Sequence, residues 1–82
     1  MNAFELWEAS IAAEANLVRC KEALAHAEMA RDMCGIASAH NFKVAMVAYL
    51  RNDVVCASAR ADLSKVSACG AFLDLLPRKG DG

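Results

Sequence analysis

Residues that break helices are scarce in this chain. It has one proline, Pro77, and four glycines, three of them at or beyond Gly70, so Gly35 is the only breaker before that point. Aromatic residues make up 6%, apolar and polar residues show no sustained alternation along the chain, and no Asn-Gly or Asp-Gly dipeptide joins two apolar runs. With the strand and hairpin signals missing, the fold class is all-α.

Charge of one sign is missing too. A net charge of −1 excludes the basic footprint of a chain that grips nucleic acid directly, and equally the acidic surface of a DNA mimic. The longest apolar run, Val44 to Leu50, falls far short of the roughly 20 residues that cross a membrane. The start, Met1-Asn2-Ala3-Phe4-Glu5, lacks the basic opening and apolar core of a signal peptide. The expectation is a cytoplasmic protein with no membrane contact.

The chemistry-bearing residues do not converge on a motif. Cysteines stand at 20, 34, 56 and 69 and histidines at 26 and 40, with neither Cys-x-x-Cys nor paired-histidine spacing. There is no glycine-rich phosphate loop. No metal, cofactor or catalytic residue is expected, and the cysteines read as small apolar residues in an alanine-rich context. Four free thiols follow, with Cys20 and Cys56 slow to react inside the helix contact.

What the sequence does have is helix. The apolar fraction is 57%, much of it alanine, in 82 residues that make one domain spanning 1–82. Asn2 is a good N-cap with Glu5 placed for a capping box, and Gly35 a good terminator. The first helix is therefore expected over about 3–34, roughly 48 Å long. Residues 35–40 form the connection, with Ser38 (or Asn41) as the next N-cap. The second helix follows over about 39–61. A C-terminal segment, about 63–76, either continues that helix or folds back as a short third one from Asp62 or Ser64. Residues 77–82 form a tail.

The first helix carries two apolar stripes. One is Leu6, Ala9, Ala13, Leu17, Cys20, Leu24 and Ala27; the other is Phe4, Trp7, Ile11, Val18 and Met29, set apart by Glu14, Lys21 and Glu28. On the second helix, Phe42, Ala45, Tyr49, Asn52, Cys56, Ala59 and Leu63 alternate three-four spacings like a helix seam. Lys43, Arg51, Ser58 and Lys65 mark its wettest side, interrupted by Val47 and Val54.

Folding the chain back at residue 38 brings small residues opposite large ones. Ala13 then meets Leu63, Leu17 meets Ala59, Cys20 meets Cys56, Leu24 meets Asn52, Ala27 meets Tyr49, and Cys34 meets Phe42. The expectation is an antiparallel αα-hairpin with these residues as its seam. Residues 1–32 hold six acids against three bases and 33–82 six bases against four acids, which favours the same pairing. Asn52 would fix register or oligomeric state.

The second stripe of the first helix and the segment Phe72-Leu73-Asp74-Leu75-Leu76 either close a small bundle together or face a partner. The candidate partner-binding residues are Phe4, Trp7, Ile11, Val18, Phe72, Leu75 and Leu76. The apolar surface exceeds what two helices cover, so a homodimer or a larger protein partner is expected. The hairpin outline is shared by secretion chaperones, plasmid regulators and phage proteins that block host complexes, and no motif selects among them. A non-enzymatic interaction module acting by stoichiometric binding, such as a small phage-type inhibitor (an anti-defence protein), accounts for the size and the missing catalytic groups. A secretion-type chaperone or a homo-oligomeric adaptor accounts for them too. From another class, a thiol- or metal-dependent sensor would use Cys20 and Cys56.

Overall fold

The computed structural model describes residues 2–77; the tail expected over 78–82 lies outside them. Two helices pack antiparallel along their length: α1, Ala3–Asp32, and α2, Ala37–Asp74. The hairpin is a rod of 71 × 17 × 16 Å.

Asn2 caps α1 as its side chain suggests. Its side-chain oxygen accepts from the Glu5 backbone N–H at 2.9 Å, and its amide donates to Glu5 Oε1 at 3.4 Å. Glu5 thus closes the cap through the Asn2 side chain rather than through its backbone N–H. The helix ends at Asp32, two residues before Cys34, with the Met33 N–H bonded to the Met29 carbonyl at 3.0 Å. Gly35 does not adopt the left-handed conformation expected of it. Ile36, not Ser38 or Asn41, holds the N-cap position of α2, with no side-chain bond, so the connection is shorter than 35–40.

α2 runs without interruption through Arg60–Ser64, so the C-terminal segment continues it and no third helix forms among the described residues. The reason lies in α1. An α2 ending near residue 61 would leave the first three turns of α1 uncovered; instead Ala61 and Ala68 are buried, and Phe72 meets Phe4. That contact outweighs the cost of Gly70 inside a helix, about 1 kcal/mol against alanine.

The α1 seam is where its first stripe places it. Leu17 is buried, Ala13 and Cys20 pack against it, and Leu6, Ala9, Leu24 and Ala27 are partly covered. The α2 seam is not. Val47, Ala57, Ala61 and Ala68 are buried, with Val54 packed against the Leu17 cluster. Phe42, Tyr49 and Leu63 are exposed, as are Asn52, Cys56 and Ala59. Val47, Val54 and Ala61 each lie two positions from the expected Tyr49, Asn52 and Leu63, roughly 200° round a helix. The pairings of Ala27 with Tyr49, Leu24 with Asn52, Ala13 with Leu63, Leu17 with Ala59, Cys34 with Phe42 and Cys20 with Cys56 are therefore not the seam layers. Small residues win the contact because they let the two backbones approach closely and fill the space between them.

This orientation is open to a direct test. Ala61 is 1% exposed, so Ala61→Leu is expected to cost about 1–3 kcal/mol in urea denaturation through overpacking. Ala59→Leu, on the outward side, should shift the stability of the monomer, measured in dilute solution, by less than about 0.5 kcal/mol. Equal effects at the two positions would reject the orientation of α2.

Candidate functional site

The open end of the hairpin brings the start of α1 beside the end of α2. Their aromatic residues meet there: the Phe4 and Phe72 rings pack edge to face, 5.5 Å apart and at 87°. One turn further along α1 a groove of about 370 Å³ opens, lined by Trp7, Ser10, Ile11, Glu14, Lys65, Ala68 and Cys69. Its floor is Ser10 and Ala68, both buried. Because the floor residues are small, Trp7 and Ile11 stand above it as a wall, 53% and 50% exposed.

The Lys65 ammonium pairs with the Glu14 carboxylate at the groove's inner end. Further towards the connection Arg51 Nη2 lies 3.8 Å from Glu28 Oε1. Both pairs join an acid of α1 to a base of α2, which is the direction set by the charge imbalance between the halves. The hydrogen bond and charge of Glu14 raise the Lys65 pKa above its ordinary 10.5, with Asp62 adding to the effect and partial desolvation opposing it.

The seven candidate partner-binding residues divide by position. Trp7 and Ile11 are exposed around the groove, and Phe4 is exposed beside it with Phe72 half-buried against its ring. Leu75 and Leu76 are exposed just beyond α2, and Val18 is exposed further down α1. Bundle closure over Trp7 does not occur among the described residues. Ser10, Glu14, Lys65, Ala68 and Cys69, which complete the groove, were not among the candidates. Their signal was Ala61 and Ala68, seven residues apart as Val47 and Val54 are, which marks the line along which α2 meets α1.

A second, shallow groove of about 340 Å³ lies on the other flank, lined by Asn16, Cys20, Asp53, Cys56, Ala57 and Arg60. It brings Cys20 and Cys56 to one depression, and all four thiols are free. Among the described residues no three His, Cys, Asp or Glu side chains are grouped to hold a metal. His26 is exposed and His40 half-buried. Among the described residues no helix is long and apolar enough to cross a membrane. Compared with family models, curated proteins and solved structures, the chain matches none.

Two measurements check this description. Cys56 is exposed, contrary to its expected place inside the seam, so Cys56 and Cys69 should react quickly with a thiol reagent and Cys20 and Cys34 more slowly. Mass mapping of partly labelled protein with Cys20 modified first would contradict the seam. For Lys65, a raised folded pKa means stabilisation that is complete below 10.5 and lost as pH climbs through the folded value. The stability advantage of wild type over Lys65→Met should thus hold at about pH 9 and shrink as pH rises beyond 10.5, which thermal melts would show. A difference that stays constant across that range would mean the ion pair contributes nothing.

Proposed function

We propose that this chain is a non-enzymatic helical interaction protein that binds a larger protein complex in fixed stoichiometry, as a small phage-type inhibitor of a defence complex would. The observation that supports this reading is the Trp7 groove. A tryptophan and an isoleucine stand half-exposed above a small-residue floor, with an ion pair at one end. Tryptophan contributes disproportionately at binding surfaces because its large ring buries much area at little conformational cost. The ion pair gives such a contact an orientation. An inhibitor of this kind acts by occupancy, so the chain needs to supply only shape, apolar area and a few placed charges.

Affinity capture from the native host with tagged wild type and Trp7→Ala tests it. Wild type is expected to retain a partner complex in stoichiometric amount. Trp7→Ala should weaken retention by about 2 kcal/mol or more, roughly thirtyfold, while the helical circular dichroism stays unchanged. Capture that is indifferent to Trp7, or no stoichiometric partner at all, would overturn the reading.

A further inference from the structure

The outward side of α2 carries a second apolar stripe that neither the hairpin seam nor the Trp7 groove uses. Phe42, Tyr49, Cys56 and Leu63 follow one another every seven residues, and Val66 and Leu73 continue on the adjoining line. Their exposures are high, from 64% at Leu73 to 71% at Val66, and Cys56 is exposed as well. No charged residue falls on these two lines between 42 and 73. A seven-residue repeat that is apolar at every step but Asn52 and Gly70 is the pattern of a helix seam awaiting a second helix.

The surface area of the whole chain, stripe and groove together, is large for its mass. The chain exposes 6191 Å², whereas a compact folded protein of its mass exposes about 4,800 Å². The surplus of about 1,400 Å² exceeds the roughly 800 Å² that each partner buries in a stable complex. Its radius of gyration, 19.3 Å, is likewise well above the roughly 12 Å of a compact domain this long.

Charge then selects the occupant. Asp53 and Arg60 stand seven residues apart on one edge of the stripe, and among the described residues neither has an ion-pair partner within the chain. When two α2 helices are laid antiparallel about a two-fold axis near Cys56, Asp53 of each copy falls opposite Arg60 of the other. The edge is therefore complementary to itself, which is what an isologous contact requires.

We propose that a second copy of this chain occupies the stripe, α2 against α2 in antiparallel, with reciprocal Asp53–Arg60 pairs beside the axis. α1, with Trp7 and Ile11, then lies on the far side of α2 from the partner copy, so self-association and capture of another protein are separable.

Sedimentation equilibrium between about 1 and 100 µM reads the association. Wild type is expected to pass from the 8.8 kDa monomer to twice that mass. Leu63→Glu should abolish the dimer while leaving helical circular dichroism intact, since Leu63 is 68% exposed. Asp53→Arg and Arg60→Asp should each weaken association about tenfold, because each places like charges opposite each other twice. An equimolar mixture of these two variants, and the double variant carrying both changes, should recover it. Trp7→Ala should leave it unaltered. A wild type that stays monomeric, a dimer that survives Leu63→Glu, or a mixture no stronger than its components would overturn the proposal. Loss of the dimer in Trp7→Ala would overturn it too, by placing the contact at the groove.

Discussion

The close approach of two backbones across a line of small residues determines the rest of this structure. Ala57, Ala61 and Ala68 on α2 face a side of α1 that carries Ala3, Ser10 and Leu17, and only Leu17 and Val47 bring larger side chains into the buried set. Alanines permit that approach and gain dispersion contacts from backbone and side chain alike. They bury little area each, however, so the seam must be long to hold. That length explains why α2 runs on past residue 61 and why Gly70 is carried inside a helix. It also explains the ion pairs. With the backbones close, Glu14 and Glu28 lie beside the contact and within reach of Lys65 and Arg51.

The same constraint divides what the sequence reveals from what it conceals. Helix content, the antiparallel hairpin and the Asn2 cap follow from absent breakers and local chemistry, and the seam of α1 follows the longer of its two apolar stripes, the one that holds Leu17. α2 offers no such contrast. It has one apolar line through Val47, Val54, Ala61 and Ala68 and another through Phe42, Tyr49, Cys56 and Leu63, at the same spacing. Ranking by side-chain size favours the second, because large residues release more free energy on burial. A hairpin with little room between its helices favours the first. Lys43, Arg51 and Lys65 on the side containing Val47 and Val54 do not separate the two lines, since long basic side chains flank a seam as readily as they mark a wet face. The Ile36 cap was illegible for another reason: it has no side-chain bond, so no residue type signals it. The groove at the open end was half legible. Its aromatic wall stood out by composition, while its small-residue floor and ion pair depended on knowing which side of α2 faces α1.

The two apolar surfaces left outside the seam differ in kind, and the difference bears on what each suits. The groove beside Trp7 mixes aromatic area with an ion pair near the open end of the hairpin, so a partner seated there would not be constrained by symmetry. Surfaces of that composition resemble those of complexes whose members also exist apart. The outward stripe of α2 is uncharged over its length and bears a self-complementary pair of charges at its edge, closer to the apolar contacts of homodimers. A hairpin whose own seam is mostly alanine has little core of its own, and below about 80 residues a thin core leaves stability marginal. Covering the stripe would therefore add to folding as well as to association, whereas covering the groove would not need to. The large side chains displaced from the interior by the close approach of α1 and α2 are the material from which both surfaces are made.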